Sequence, residues 1–139
     1  MDTYPKQYLY RRVLRAKLYI DEHYASAVDL TNIADEACFS KFHFIRLFKA
    51  SYGKTPHQYL TEVRVNRAKD LLADGATVKY TCFAVGFDSL SSFTGLFRHR
   101  VGQTPAAYQR NMQARRDEIA ARPLKFVPNC FVEKHGWSK

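Results

Sequence analysis

The stretch SKFHFIRLFKASYGKTPHQY, residues 40–59, predicts one helix, a stop and the start of a second helix. Ser40 is a suitable N-cap, because its hydroxyl can accept a hydrogen bond from an unpaired amide of the first turn. Phe44, Leu47 and Phe48 recur at spacings of three and four residues. That spacing places the three side chains on one face of a helix, which we expect to be buried.

The end of this helix and the restart of the chain carry their own signals. Gly53 follows the last periodic residue, where a positive φ is common and glycine adopts it without strain. The segment Thr55-Pro56-His57-Gln58 then predicts a new helix. Thr followed three residues later by Gln forms a capping box, and Pro suits the first helical position.

The face opposite the buried one combines cations with apolar side chains. At about 100° per residue it holds Phe42, Arg46 and Lys49, with Ile45 on its flank. A helix in a DNA major groove uses Arg for guanine edges, Lys for phosphates and apolar side chains for thymine methyls. The alternative is a helix packed on both sides, with Phe42 in an interior.

The same stretch occurs a second time in the chain. Aligning residues 44–60 with residues 93–109 places FIRLFKASYGKTPHQYL over FTGLFRHRVGQTPAAYQ, with seven of seventeen positions identical. The identical residues are those of the predicted buried face, the stop and the restart, so a structural unit is duplicated. Two similar helices suit a repeating partner, and the DNA duplex repeats every helical turn.

Composition narrows the class of partner and the compartment. The 139 residues carry 22 Lys+Arg against 13 Asp+Glu, a net charge of +9, which favours a polyanionic partner. No apolar run is long enough for a transmembrane helix, and the N-terminus lacks a signal-peptide core. The three cysteines are widely spaced, as in proteins of a reducing compartment. We therefore expect a cytoplasmic protein without a membrane partner.

Catalytic and metal-binding patterns are missing from the sequence. It contains no paired carboxylates, nucleophile–base set or phosphate-binding loop, and no Cys/His spacing typical of a metal site. RNA recognition would call for aromatic platforms on a sheet or splayed loops, whereas this chain is predicted to be helical throughout. The sequence thus predicts no enzyme, no cofactor and no evident small-molecule effector.

The predicted fold is all-α, with about seven helices in two helix-turn-helix subdomains joined by a long linker helix. Helices are expected at Lys6–His23, from Asp29-Leu30 through Ala37, after Ser40, at Pro56 to Ala73, after Thr77, at Leu90 to Val101 and from Pro105 to Ala121. The expected divisions are 1–55 for the first subdomain, 56–74 for the linker helix, 75–122 for the second subdomain and 123–139 for the tail.

The tail, PLKFVPNCFVEKHGWSK, is too apolar for a typical disordered segment. Pro123 and Pro128 disfavour a helix, so an extended C-terminal tail is predicted. Two interpretations stay open. The tail covers apolar surface on the second subdomain, or it docks to RNA polymerase or a sensor protein.

Several motifs together resemble the AraC/XylS family of bacterial transcription regulators. They are SKFHFIRLFKASYGKTPHQYL, then Arg64, Ala68 and Leu71-Leu72, then AVGFDSLSSFTGLFRHRVGQTPAAY. The similarity covers about residues 8–110 and implies two helix-turn-helix units whose recognition helices enter successive major grooves. The family's usual sensor domain is missing, so the chain resembles the short members of the family.

The resemblance and the helix faces together assign DNA contacts. The base-reading residues are expected to be Phe42, Ile45, Arg46, Ser91 and Thr94. The backbone contacts are expected to be Ser40, Lys41, Lys49, Ser89, Ser92 and Arg98. The chain departs from the family in two places: Gly95 replaces the usual arginine, and Thr81 replaces a large aliphatic residue. We therefore expect the second unit to read less sequence than the first.

The sequence predicts a sequence-specific transcription regulator that binds double-stranded DNA as a monomer on an asymmetric site, with RNA polymerase as a candidate partner. The alternative is a non-specific or architectural DNA-binding protein. That protein would share the positive charge but discriminate weakly between an operator and random DNA.

Overall fold

The computed structural model describes residues 6–28 and 40–121, and within these ranges it contains six helices and no strands. The helices are α1 (Lys6–His23), α2 (Lys41–Tyr52), α3 (Pro56–Ala73), α4 (Val78–Ala84), α5 (Leu90–Val101) and α6 (Pro105–Ala121). The predicted all-α class is confirmed. The helix predicted near residues 29–37 and the tail 123–139 lie outside the described residues and stay predictions.

The helix ends follow the predicted capping chemistry. Ser40 Oγ accepts from the backbone amide three residues on at 3.2 Å. Thr55 and Gln58 form the capping box, with Gln58 N donating to Thr55 Oγ1 at 3.2 Å and Thr55 N donating to Gln58 Oε1 at 2.9 Å. Gly53 has φ 79° and donates to the carbonyl four residues back at 2.7 Å. These bonds satisfy backbone groups that every helix end leaves unpaired.

The duplication extends to polar contacts that the alignment did not single out. Lys54 Nζ lies 2.7 Å from a carboxylate oxygen of Glu62 at the entry to α3. At the corresponding positions 49 residues later, Asn111 Nδ2 donates to Gln103 Oε1 at 2.6 Å. An ion pair in one copy is thus replaced by a neutral hydrogen bond at the corresponding positions of the other.

The hydrophobic side chains that the structure describes form two cores, and the linker helix α3 contributes to both. The first core consists of Val13, Ala16, Ile20, Phe44, Phe48 and Leu60. The second core consists of Val65, Ala68, Leu72, Cys82, Val85, Phe93 and Phe97. We call the helices around these cores the first unit (α1, α2 and the start of α3) and the second unit (the rest of α3 with α4, α5 and α6). Burial of these side chains is the main favourable contribution to folding.

Tyr24 lies between the two cores, and Thr81 is a polar residue within the second core. Tyr24, just after α1, packs against both cores and so lies at the junction of the two units. Thr81 is fully buried in the second unit, and its hydroxyl has no hydrogen-bond partner among residues 6–28 and 40–121. An unpaired buried hydroxyl costs free energy, so Thr81 is a local defect in an otherwise apolar core.

Candidate nucleic-acid interface

Helix α2 has one buried face and one exposed face. Phe44 and Phe48 are 1% and 0% exposed, whereas Phe42 is 72% exposed. The two buried residues lie one turn apart on the side that packs into the first core. Helix α2 is therefore not packed on both sides, and the large aromatic side chain of Phe42 is exposed to solvent.

The exposed face of α2 is positively charged. Lys41, Arg46 and Lys49 are all exposed, and the helix contains no Asp or Glu. No carboxylate therefore neutralises these cations within the helix, and the positive end of the helix dipole lies at Lys41. A face with this charge and an exposed Phe42 is suited to a polyanion that also presents apolar groups, as DNA does.

Two predicted contact residues occupy intermediate positions. Ile45 is partly buried and packs against the first core, so it lies at the edge of the exposed face. Ser40 uses its hydroxyl oxygen as an acceptor in capping α2. A hydroxyl carries one proton and two lone pairs, so Ser40 can still donate to a phosphate oxygen.

Helix α5 repeats the arrangement with smaller side chains. Phe93 and Phe97 are fully buried, and Ser91, Ser92 and Arg98 are exposed. Thr94 is partly buried, as is Ile45 at the corresponding position of α2. Ser89 caps the helix by accepting from Ser92 N at 3.3 Å, and its hydroxyl lies 3.2 Å from that of Ser91.

Gly95 is the main difference between the two exposed faces. It is exposed at the position that corresponds to Arg46, and a Cβ built on it would meet nothing within 4 Å. The centre of the α5 face therefore has open space where the centre of the α2 face has a guanidinium. Of the residues predicted to contact DNA, this face keeps hydroxyl-bearing side chains and Arg98.

Helices α2 and α5 pack into their cores through the same pattern of aromatic contacts. Within α2 the ring centroids of Phe44 and Phe48 lie 5.9 Å apart, and within α5 those of Phe93 and Phe97 lie 5.7 Å apart. The next helix supplies a tyrosine in each unit: Phe48–Tyr59 is 5.8 Å and Phe97–Tyr108 is 5.6 Å. Offset and tilted ring pairs of this kind fix helix orientation, so the two exposed faces are presented alike.

The structure adds residues that the sequence reasoning did not select. His99 is exposed one turn after Gly95 on the same side of α5, and its spacing of four residues could have identified it. A second set lies away from the exposed faces, around Arg64. Its partners are distant in the sequence, so no local pattern could have indicated it.

Neither metal binding nor membrane insertion is indicated by the described part of the chain. Residues 6–28 and 40–121 contain no group of three His, Cys, Asp or Glu side chains placed to hold a metal ion. None of the helices in these ranges is both long and apolar enough to cross a membrane.

Comparison with known proteins identifies the family. The family described as "Helix-turn-helix domain" matches residues 33–111 of the chain. The solved structures that resemble the chain are AraC-type DNA-binding domains. The chain belongs to the AraC-type helix-turn-helix family. Among curated relatives of this AraC-type chain, the probable transcriptional regulator LumQ of Photobacterium leiognathi is 35% identical over 95 residues. The match covers 66% of this chain and 37% of LumQ, so the chain spans little more than a third of that relative.

Solved structures confirm the AraC-type fold. The DNA-binding domain of AdpA, crystallised in complex with a target DNA, matches with a TM-score of 0.71 and 31% identity. That match covers 76% of this chain and 96% of the AdpA chain. The C-terminal domain of AraT, a response regulator from Geobacillus stearothermophilus, matches with a TM-score of 0.68 and 26% identity over 72% of this chain and 84% of its own.

Proposed function

We propose that this AraC-type chain is a sequence-specific transcription regulator that inserts α2 and α5 into successive major grooves of double-stranded DNA. The observation that carries the proposal is the exposed face of α2, where Phe42 is 72% exposed beside an exposed Arg46 on a helix without carboxylates. The fold similarity to the AdpA domain, which was solved with its target DNA, supports the same conclusion.

In the first half-site, direct base reading falls to Arg46 and Phe42. The Arg46 guanidinium can donate two parallel hydrogen bonds to one guanine, and the Phe42 ring can pack on a thymine methyl. Ile45, at the edge of the face, can pack against apolar groups of the bases and sugars. The hydroxyl of Ser40 and the ammonium groups of Lys41 and Lys49 bind the flanking phosphates.

In the second half-site, the side chains that reach the DNA are shorter and fewer than in the first. Ser91 and Thr94 reach base edges as hydrogen-bond donors or acceptors, whereas Ser89, Ser92 and Arg98 bind the backbone. Gly95 contributes no side chain. The site is therefore asymmetric, with strong base preference in one half and a weaker, shape-based preference in the other.

We propose that the protein binds its site as a monomer, because one chain already carries two recognition helices. The compartment and a further partner follow from the same function. A regulator of this kind acts on DNA in the cytoplasm, and RNA polymerase is the partner through which bound protein changes transcription. We propose no enzymatic activity for this chain.

Selection of bound duplexes from a random pool, followed by sequencing, tests the proposal. We expect an asymmetric motif of about two helical turns. In binding assays on the selected site, Arg46→Ala should lose about 1–3 kcal/mol and relax the preference at one position. Lys49→Ala is the matched control, and it should weaken all sequences alike and reduce the dependence of affinity on salt.

The outcome also separates the regulator from the architectural alternative. A pool that yields no motif, with Arg46→Ala and Lys49→Ala equivalent on every duplex, would indicate a non-specific DNA-binding protein. The mass of the complex on a minimal site tests stoichiometry, and two chains per duplex would contradict the monomer.

A further inference from the structure

The side chain of Arg64, at the middle of the linker helix α3, holds the main chain of the first unit. Its Nε donates to the carbonyl oxygen of Tyr24 at 2.7 Å, and its Nη2 donates to the carbonyl oxygen of Ser26 at 2.9 Å. Both carbonyls belong to the segment that leaves α1. Hydrogen bonds from a charged donor are stronger than neutral ones, so these contacts fix the segment firmly against α3.

The same guanidinium faces the helix-turn-helix turn of the second unit. Its Cζ lies 5.7 Å from the centroid of the Phe87 ring. Burial lowers the pKa of Arg64, and the nearby carboxylate of Asp88 acts in the opposite direction. Arginine stays charged in any case. One cation therefore contacts both units at once, through hydrogen bonds on one side and through ring and charge on the other.

Gly86 brings the turn of the second unit directly onto this contact. Its φ is 103°, and a Cβ built on it would lie 2.7 Å from the Tyr24 carbonyl oxygen and 2.9 Å from Arg64 Nε. Glycine is needed here both for the backbone conformation and for the space. Approach this close means that a shift of either unit relative to the other must displace the Arg64 guanidinium.

Tyr24 closes the same cluster from the first unit. Its ring packs against both cores, and its hydroxyl accepts from Arg67 Nε at 3.1 Å. We call Tyr24, Arg64, Gly86 and Phe87 the junction cluster. It lies where the two units meet, and its members are neither on the exposed face of α2 nor on that of α5.

We propose that Arg64 is a positioning residue that fixes the distance and rotation between the two recognition helices, and with them the spacing of half-sites that the protein accepts. The inference rests on the function proposed above. Adding one base pair between half-sites moves the second by about 3.4 Å along the duplex and rotates it by about a tenth of a turn. A protein with a rigid junction cannot follow that change, whereas one with a loosened junction can.

The test uses the full chain and the selected site, with one or two base pairs inserted or removed between the half-sites. For the wild-type chain we expect a sharp optimum, with affinity falling about tenfold or more for a change of one base pair, as for a mismatched site. Arg64→Met keeps the apolar stem and removes the donors. It should bind the native spacing several-fold more weakly, yet its affinity should change by less than about threefold over the same series.

Two further variants make the test specific. Arg67→Ala removes an exposed arginine of the same helix that bonds the Tyr24 side chain and, in the described part of the chain, no main-chain carbonyl. This variant should keep the sharp optimum. Arg64→Lys keeps the charge and should give a profile between those of the wild type and Arg64→Met. Arg64→Lys also replaces Arg64→Met in the test if Arg64→Met does not show a cooperative thermal unfolding transition.

The outcomes distinguish the two proposals. An Arg64→Met or Arg64→Lys profile as sharp as that of the wild type, with affinity reduced equally at every spacing, would overturn the positioning role and leave the proposed function intact. A wild-type chain that prefers no sequence would overturn the proposed function, and the positioning role with it.

Discussion

The hydroxyl of Tyr59 on α3 donates a hydrogen bond to a carboxylate oxygen of Asp21 on α1. The other oxygen of that carboxylate accepts from Lys17 Nζ at 2.9 Å. The Tyr59 ring also packs against Phe48 of α2, with 5.8 Å between centroids. One tyrosine therefore links α1, α2 and α3, the three helices that build the first unit.

Tyr59→Phe should destabilise the chain by about 1 kcal/mol, because it removes one hydrogen bond and keeps the ring contact. The loss is limited, since Asp21 is partly exposed and retains Lys17. The free energy of unfolding in urea measures it. Tyr108→Phe is the matched control, because the Tyr108 hydroxyl has no hydrogen bond to any part of the chain that the structure describes. Equal effects of the two substitutions would contradict the role of the Asp21 contact.

Alkaline pH should weaken the same contact. Burial, and then the bond to Asp21, raise the pKa of Tyr59 above its ordinary value of 10.0. The hydrogen bond to Asp21 likewise raises the pKa of Lys17 above 10.5. The folded state thus favours the protonated forms, so the stability they contribute is complete below pH about 10 and is lost as the pH rises through the folded pKa values.

We therefore expect the free energy of unfolding to fall above pH about 10, and to fall less in Tyr59→Phe than in the wild type. Urea titrations at pH about 8 and about 11 measure the difference. A decline of the same size in both proteins would mean that Tyr59 does not contribute to the pH dependence.

Thr81→Val should stabilise the second unit by about 1 kcal/mol. The side chain is fully buried, and its hydroxyl has no hydrogen-bond partner in the described part of the chain. Replacing that hydroxyl by a methyl group therefore removes an unpaired polar atom at nearly constant volume. Thermal unfolding measures the gain. Thr81→Ala is the control, because it also removes the hydroxyl but leaves a cavity, and it should be less stable than Thr81→Val. A less stable Thr81→Val would imply that the hydroxyl is paired.

Gly95→Arg should increase affinity for the selected site by about 1–3 kcal/mol if a guanine lies within reach in the second half-site. The substitution fits, because Gly95 lies in a helix and a Cβ there meets nothing within 4 Å. Gly95→Ala separates the effect of helix propensity, since it should raise stability by about 0.5–1 kcal/mol without changing base preference. Repeating the selection with both variants shows whether the second half-site gains information. A gain common to Gly95→Ala and Gly95→Arg would exclude a new base contact.

Local features of the sequence determined much of the fold. The caps at Ser40 and Thr55 and the glycine stop at Gly53 depend on residues within four positions of one another, so they could be predicted without knowing the rest of the chain. The same holds for the burial of Phe44 and Phe48, which follows from helical spacing alone. The duplication then extended these predictions to the second unit.

Side chains at the border of a helix face were not decided by spacing. Phe42 could have been buried by a neighbouring element, and only the tertiary packing leaves it exposed. Ile45 and Thr94 were expected in the groove, and the structure places both partly buried at the edge of the exposed faces. Helical periodicity gives the direction of a side chain from its helix but not how far the neighbouring core extends around it.

The relation between the two units was decided by tertiary structure alone. Arg64 bonds a carbonyl 40 residues earlier in the chain, and Gly86 meets both partners of that bond from a third segment. The sequence contains an arginine and a glycine at these positions, but no periodicity or capping rule connects them. Their contact depends on how α1, α3 and the turn before α5 pack in space, because hydrogen bonds to main-chain carbonyls leave no signature in the sequence of the acceptor residues.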